Sequence, residues 1–119
     1  MKAIFYLSTC NTCVRILKEW QAPTVFEMRN VKDKPLNADE LRYLRERTSS
    51  FESLFNRRSQ QYRAQGWHEK DMKESDYEAL LLSHYSFLKR PLLVDGDLLF
   101  IGNPKKVVAA AKAHLKENY

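Results

Sequence analysis

Cysteine and glycine are scarce in this 119-residue sequence, which contains two cysteines and three glycines. Two cysteines cannot build the disulfide framework that stabilises many small secreted domains, so any role they have is chemical. The sequence also lacks a glycine-rich phosphate loop and a dinucleotide-binding fingerprint. We therefore expect no tightly bound cofactor.

Long apolar stretches and blocks of like charge are also missing. No run approaches 18 apolar residues, and the first ten residues become polar too soon for a signal peptide. We therefore expect a cytoplasmic protein with no membrane partner. The 20 Lys and Arg residues, which give a net charge of +5, are spread among 15 Asp and Glu residues. This pattern is typical of a solvated mixed-charge surface, and we expect no direct binding to nucleic acid.

The first 31 residues predict a strand, a helix and a second strand. Residues 2–7 form a short apolar run typical of a buried strand, and residues 24–31 alternate well enough for another. Between them, Val14, Leu17 and Trp20 recur at a spacing of three from Asn11 onward, which predicts one apolar helix face. This order indicates a parallel βαβ unit.

The middle of the chain is predicted to be helical. Asn37 with Glu40, and Ser75 with Glu78, each have the spacing of a helix N-cap and its capping box. Residues 48–73 predict short helices and loops.

The last third predicts an antiparallel hairpin followed by a helix. Asp95-Gly96 lies between two apolar runs, which is a strong hairpin signal. Asn103-Pro104 then predicts a helix N-cap followed by proline at the first helical position.

The two cysteines form a C-x-x-C motif where the first strand meets the first helix. Cys10 would meet the unpaired N–H groups and the positive dipole end of that helix, which favour a thiolate. A helix end supplies only about 0.3 to 1 kcal/mol, so a larger fall in the thiol pKa needs a cation such as arginine. Cys13 lies one turn further on the same face, where it could attack a mixed disulfide formed at Cys10.

Two other interpretations of the motif remain open. The cysteines could supply half of a zinc site, although His68, His84 and His114 do not have the usual ligand spacing. They could also be buried and inert. Their placement in a βαβ context favours redox or nucleophilic chemistry.

Four segments support a resemblance that covers the whole chain. They are TCNTC after the first strand, NRRSQQYR in the middle of the chain, LKRPLLVDG at the hairpin and IGNP after it. In this order and spacing, the chain resembles the arsenate reductase (ArsC) and Spx family. The resemblance implies one domain over 1–119 with an α/β, thioredoxin-like fold and a mixed four-stranded sheet. The core would cover about 1–35 and 88–119, with a helical insertion over about 36–87.

The resemblance also implies roles for individual residues. Cys10 matches the catalytic cysteine, which attacks arsenic, and Cys13 matches the second cysteine of the Spx-like members. Arg58, with Arg57 as a register alternative, and Arg90 would bind an oxyanion and hold Cys10 as thiolate.

Three further positions complete the predicted substrate site. Pro91 matches a cis-proline that faces the C-x-x-C motif and presents its backbone to the substrate. Asn11 and Thr12, between the two cysteines, are also expected to contact the substrate.

Two departures from the family pattern bear on the substrate. Asn103 takes the place of a third arginine of glutaredoxin-dependent arsenate reductases. Val14 takes the place of an arginine that commonly follows the C-x-x-C motif in this family. An arsenate dianion would therefore meet two matched cations instead of three. Since charge-assisted hydrogen bonds contribute roughly 1.5 to 3 kcal/mol each, binding could weaken by about one to two orders of magnitude.

Two functions fit these observations. The first is an ArsC-like thiol-disulfide oxidoreductase whose substrate is an oxyanion, including arsenate, or a disulfide. Its electrons would come from glutathione with glutaredoxin or from thioredoxin. The alternative is a Spx-like regulator that binds RNA polymerase and uses the Cys10–Cys13 pair as a redox switch.

Overall fold

The computed structural model describes all residues 1–119, which divide into two compact units. The first unit contains Met1–Lys34 and Arg90–Tyr119, and the second contains Pro35–Lys89. None of the helices combines the length and the apolar character needed to cross a membrane.

A mixed four-stranded sheet forms the centre of the first unit. Its strands are β1 (Lys2–Tyr6), β2 (Glu27–Asn30), β3 (Leu92–Asp95) and β4 (Leu98–Ile101), arranged in the order β2-β1-β3-β4. β1 is parallel to β2 and antiparallel to β3, and β3 is antiparallel to β4. The predicted parallel pair, the hairpin and the mixed sheet are all confirmed.

Helices α1 (Asn11–Trp20) and α5 (Lys105–Asn118) pack with this sheet around a shared apolar core. The buried members of the core are Ile4, Ile16, Trp20, Phe26, Leu93, Val108, Ala111 and Leu115. Full burial of one large apolar side chain contributes about 1.5 to 3 kcal/mol. The Trp20 indole N–H also donates a hydrogen bond of 3.0 Å to the carbonyl of Val108, which joins α1 to α5.

Some boundaries in the first unit differ from the sequence prediction. β2 begins at Glu27 rather than at residue 24, and Val25 is 52% exposed. The short edge strand therefore does not use the full alternating stretch. On α1, Cys13 and Ile16 are buried beside Trp20, while Val14 and Leu17 are only half-buried.

The ends of the hairpin and of α5 also differ from prediction. Asp95 pairs with Leu98, so Gly96 and Asp97 form the turn, and Gly96 takes the positive φ of 61° that glycine tolerates. α5 begins one residue later than predicted, with Pro104 as its N-cap and no side-chain cap. The prediction of Asn103 as N-cap is wrong.

The second unit contains α2 (Ala38–Arg45), α3 (Gln60–Ala64) and α4 (Glu74–Ser83), with single 3-10 turns at Glu52–Leu54, Trp67–Glu69 and Tyr85–Phe87. The predicted capping box at Asn37 and Glu40 is confirmed by backbone-to-side-chain bonds of 2.8 and 3.1 Å. The one at Ser75 is wrong, because α4 starts at Glu74. There the Asp76 carboxylate accepts from the Lys73 N–H at 2.9 Å.

Phe55 lies at the centre of an aromatic core in the second unit. Its ring stacks on Phe87 at 5.3 Å and meets the edges of Tyr62 and Tyr77 at 5.6 and 5.0 Å. An isolated antiparallel bridge pairs Phe55 with Leu88. These contacts hold the segment that follows Phe55, which carries the two arginines at positions 57 and 58.

A polar cluster around Asp95 ties the end of β3 to β1 and α5. The Asp95 carboxylate accepts hydrogen bonds from Lys2 at 2.5 Å and from Tyr119 at 2.7 Å, and lies 2.7 Å from Nε2 of His114. Burial raises the pKa of Asp95, but these three partners outweigh it and lower the pKa to about 2. The folded state therefore favours the ionised carboxylate.

We expect this cluster to stabilise the protein above pH 4 and to lose its effect as the pH falls towards 2. A folded-state pKa below the ordinary value adds stability that is lost when the carboxylate is protonated. Asp95→Asn should lower the free energy of unfolding by about 2 kcal/mol at pH 5. The difference from wild type should shrink towards pH 2, as measured by urea unfolding at each pH. Asp71→Asn, at an exposed position, is the control, and an equal loss in both variants would contradict the prediction.

Candidate active site

Cys10 lies at the junction of β1 and α1, where it is the N-cap of the helix. Its backbone is extended, with φ −98° and ψ 111°, because the chain leaves the strand before it turns into the helix. The Cys10 N–H donates to the carbonyl of Leu7 at 3.1 Å, and its own carbonyl accepts from Val14 at 3.1 Å. Cys10 is half-buried, so its side chain is partly accessible from solvent.

The surroundings of Cys10 favour its thiolate. Burial raises the pKa of Cys10, but hydrogen bonds from the backbone N–H and the thiol of Cys13 act in the opposite direction. The charge of Arg90 and the backbone N–H of Thr12 add to the lowering effect. The net result is a lowered pKa, as expected for a sulfur at a helix N-terminus beside a cation.

Cys13 has the opposite environment. Its side chain is fully buried in the first turn of α1, and both cysteines are free thiols. Burial raises the pKa of Cys13 to about 11, and the negative charge of Cys10 acts in the same direction. Cys13 is therefore a neutral thiol that donates a hydrogen bond to the sulfur of its neighbour.

Arg90 and Pro91 come directly before β3. The peptide bond between them is cis, as the family resemblance predicted. The carbonyl of Pro91 accepts a hydrogen bond of 2.9 Å from Gly102, which links the start of β3 to the residue after β4. Arg90 acts electrostatically on both thiols. The structure thus brings Cys10, Cys13 and Arg90 together in the first unit.

Replacement of Arg90 tests this electrostatic effect. Because the arginine lowers the pKa of Cys10, Arg90→Gln should raise that pKa and move the midpoint of Cys10 alkylation to higher pH. The alkylation rate at pH 7 should fall roughly threefold to tenfold. Arg90→Lys, which keeps the charge, should have a smaller effect.

Stopped-flow alkylation with iodoacetamide over a range of pH measures this midpoint. The matched control is Arg15→Gln, since Arg15 is exposed on the same helix as the thiols and is not among the groups that shift the Cys10 pKa. An unchanged midpoint in Arg90→Gln would contradict the electrostatic role.

Arg57 and Arg58 differ clearly in their contacts within the second unit. Arg57 forms an ion pair with Glu52 and donates to the Tyr77 hydroxyl at 2.7 Å. The Arg58 side chain is exposed and forms no ion pair. Of these two arginines, Arg58 is therefore the one available to bind an anionic ligand. Its role in the site stays a prediction.

The backbone around Arg58 is held by a hydrogen-bond network that sequence analysis missed. The Asn56 side chain accepts from the Arg58 N–H at 3.1 Å and donates to the carbonyl of Ser86 at 3.3 Å. Ser59 is buried, and its hydroxyl lies 2.7 Å from that of Ser86, which in turn lies 2.8 Å from Nδ1 of His84. No local motif signals this network, because its two halves are about 30 residues apart.

The remaining predicted substrate contacts lie at the start of α1. Asn11 is exposed and Thr12 is half-buried, and the backbone N–H of Thr12 acts on the Cys10 sulfur. Their contact with a substrate stays a prediction. No group of three or more His, Cys, Asp or Glu side chains is arranged to hold a metal ion.

A strand-to-helix junction with one accessible and one buried thiol, on a mixed four-stranded sheet, defines a member of the thioredoxin-like class. The model of the ArsC family matches residues 5–111, and the chain therefore belongs to the ArsC family.

Solved structures share this fold along almost their whole length. The YffB protein is 21% identical, with coverage of 93% of this chain and 98% of its own and a TM-score of 0.74. A possible arsenate reductase from Streptococcus mutans is 26% identical, with coverage of 88% of this chain and 92% of its own and a TM-score of 0.68. An arsenate reductase from Vibrio cholerae is 13% identical, with coverage of 92% of this chain and 96% of its own and a TM-score of 0.74. No curated protein sequence matches the chain.

Proposed function

We propose that this chain is an ArsC-like thiol-disulfide oxidoreductase, with Cys10 as nucleophile and Cys13 as resolving thiol. The observation that carries this proposal is the placement of the two cysteines, with Cys10 half-buried as the N-cap of α1 and Cys13 buried in the first turn of the same helix. The pKa is lowered for the accessible Cys10 and raised to about 11 for the buried Cys13. A nucleophile must be a thiolate that substrate can reach, whereas a resolving thiol should stay unreactive until a mixed disulfide forms beside it.

With a disulfide substrate, the Cys10 thiolate attacks one sulfur and releases the other as a thiolate. This gives a mixed disulfide and removes the negative charge that helped to keep Cys13 protonated. Cys13 then loses its proton and attacks the Cys10 sulfur, which expels the second half of the substrate as a thiolate. The substrate has gained two electrons, and the protein holds a Cys10–Cys13 disulfide.

An arsenate substrate fits the same sequence of steps. The Cys10 thiolate attacks arsenic and forms a sulfur–arsenic bond, while one arsenic–oxygen bond breaks and its oxygen takes up protons from solvent and leaves as water. Attack of Cys13 on the Cys10 sulfur breaks that bond and leaves its electron pair on arsenic, which is reduced to arsenite. Arg90 would pair with the oxyanion, and Arg58 is the proposed second cation. Pro91, Asn11 and Thr12 are proposed substrate contacts.

Reduction of the resulting disulfide completes the cycle. The proposed electron donors are glutathione with glutaredoxin or thioredoxin, each of which is oxidised to a disulfide as Cys10 and Cys13 return to thiols. No tightly bound cofactor takes part in this scheme. A donor must supply two electrons and two protons in each cycle.

A coupled assay of NADPH oxidation tests the proposal. Arsenate and bis(2-hydroxyethyl) disulfide serve as substrates, each with glutathione and glutaredoxin or with thioredoxin and its reductase. We expect turnover of at least one substrate, with no turnover in Cys10→Ser. Arg58→Gln should raise the KM for arsenate more than the KM for the neutral disulfide.

A lack of turnover with both substrates and both donors would overturn the enzymatic proposal. Binding to RNA polymerase that changes when Cys10 and Cys13 are oxidised would then favour the Spx-like regulator. Turnover of the disulfide alone would remove arsenate as a substrate and keep the thiol mechanism. Asn103, at the position of the third arginine, is consistent with that second outcome.

A further inference from the structure

The net positive charge of this protein comes from only one of its two units. The first unit contains 11 Lys and Arg residues against six Asp and Glu, whereas the second contains nine of each. The net charge of +5 therefore belongs entirely to the unit that carries the reactive thiol.

Within the first unit, the charges separate along the strand direction. We define the thiol end of the sheet as residues 7–10, 31–34, 90–91 and 102–106, which follow β1, β2 and β4 or precede β3. The thiol end contains one acid, Asp33, and five cations: Lys32, Lys34, Arg90, Lys105 and Lys106. The opposite end of the sheet, residues 1–2, 24–27 and 95–98, has one cation, Lys2, and three acids, Glu27, Asp95 and Asp97.

The four lysines of the thiol end are exposed, and none of them forms an ion pair. No direct ion pair therefore offsets their charges. In contrast, Lys2 at the opposite end is bound to Asp95, and Lys112 in the middle of α5 pairs with Glu19 at 3.6 Å. Lys18 and Lys116, in the last turns of α1 and α5, are the other exposed lysines of this unit without an ion pair, so four of these six lysines lie at the thiol end.

Two helices add to this positive field. Both α1 and α5 begin at the thiol end, and neither has an acidic residue in its first turn. In α2 and α4, the first turn carries two acidic residues each, as the helix dipole favours. α5 instead begins with two lysines, which cost about 0.3 to 1 kcal/mol each at a helix N-terminus. Because these two lysines destabilise the start of α5, their presence there favours a role in binding an anionic ligand.

The distance between the two groups of lysines indicates the size of the ligand that could contact both. Lys32 and Lys34 follow β2 at one edge of the sheet, while Lys105 and Lys106 follow β4 at the other edge. Four adjacent strands at about 4.8 Å spacing separate these edges by roughly 14 Å. An arsenate ion or a small disulfide at Cys10 cannot contact both pairs of lysines, whereas a protein surface can.

We propose that the thiol end is a docking surface for a dithiol protein whose surface around its own reactive cysteine is acidic. This inference rests on the proposed function, because it names the partner that reduces the Cys10–Cys13 disulfide. The donor thiolate attacks the Cys10 sulfur, the bond to Cys13 breaks, and Cys13 leaves and takes a proton. The second donor thiol then attacks the donor sulfur of the mixed disulfide and releases Cys10 as a thiolate. The donor becomes a disulfide and has given up two electrons.

The test compares two reductants of the oxidised protein. One is a thioredoxin with a net negative charge at pH 7, and the other is dithiothreitol, which is small and neutral. The docking variant is Lys105→Glu/Lys106→Glu, and the control is Lys18→Glu/Lys116→Glu. The control changes the charge equally at two exposed lysines without ion pairs, in the last turns of α1 and α5. Alkylation of free thiols and mass spectrometry measure the rates.

In the docking variant, we expect the ratio of the thioredoxin rate to the dithiothreitol rate to fall about tenfold at low salt. The control variant should change this ratio by less than about twofold, because its two substitutions lie far from the thiol end. The difference should disappear at about 0.5 M salt, where charges are screened beyond a few ångströms. Glutamate is favoured at a helix N-terminus, so unfolding does not account for a slower rate in the docking variant.

Three outcomes would overturn the inference. An equal effect in both variants would show that only net charge matters. If the ratio of the thioredoxin rate to the dithiothreitol rate is unchanged in the docking variant, thioredoxin does not bind this surface. The same result is expected if the lysines bind a nucleic acid instead. Failure of dithiothreitol to reduce the wild-type protein, or of the protein to form the disulfide, would overturn the proposed function as well.

Discussion

At pH 7, iodoacetamide is expected to label Cys10 at least about 100 times faster than Cys13. Only the thiolate reacts, and a thiol with a pKa of about 11 is ionised to roughly one part in 10,000 at this pH. An ordinary thiol with a pKa of about 8.5 is ionised to a few per cent, and the pKa of Cys10 lies below its ordinary value. Burial slows the labelling of Cys13 further, because the reagent cannot reach its sulfur.

Peptide mapping after a timed pulse of the reagent measures both rates in one sample. In Cys10→Ser, labelling of the native protein should also fall strongly, but by less than the factor that separates the two thiols in the wild type, because loss of the Cys10 charge lowers the pKa of Cys13. The matched control is Cys13→Ser, which should keep most of its labelling, because the backbone N–H at position 13 and the serine hydroxyl can still donate hydrogen bonds to Cys10. Comparable labelling of the two cysteines in the folded wild type would contradict the assigned roles.

The second large effect is expected in turnover by Cys13→Ser. Without a resolving thiol, no group of the same molecule can attack the mixed disulfide at Cys10. The covalent adduct should therefore accumulate to one equivalent per protein. Disulfide reduction with thioredoxin should fall by about 100-fold or more, since an effective concentration in the molar range or above is lost. Intact-protein mass spectrometry detects the adduct, and the coupled assay gives the rate.

Cys13→Ala provides a second variant at this buried position, because serine places a hydroxyl where the sulfur was buried. Both variants should trap the adduct if the thiol is needed for chemistry. Full turnover in either variant would show that an external monothiol, such as glutathione, resolves the mixed disulfide directly. The Cys10 nucleophile would remain in that case, while the role of Cys13 would be wrong.

The sequence predicted those parts of the fold that local patterns determine. The apolar run before Cys10, the capping box at Asn37 and the turn signal at Asp95-Gly96 each act within a few residues, and all three correspond to elements of the structure. Two local signals nevertheless failed, since Ser75 and Asn103 are not the N-caps of their helices. Other errors arose where tertiary packing decides. β2 is shorter than the alternating pattern because it is an edge strand with an exposed flank at Val25.

The candidate site divides in the same way. The C-x-x-C motif located both thiols, but burial, which makes Cys13 unreactive, depends on residues distant in sequence. Asn56 and Ser59 could not be found in advance, because their partner Ser86 lies about 30 residues away and serine and asparagine are common in loops. The Asp95 cluster likewise joins Lys2 to residues near the other end of the sequence.

The position of Trp20 has a practical consequence for spectroscopy. Each compact unit contains one of the two tryptophans, and their surroundings differ: Trp20 is 4% exposed and hydrogen-bonded to Val108, whereas Trp67 is half-exposed. Trp20 is the last residue of α1, which has Cys10 as its N-cap and Cys13 in its first turn. A protein in which Trp67 is replaced by phenylalanine would therefore have a single intrinsic fluorophore on that helix. Its emission could follow a change in the thiols in real time without an added dye.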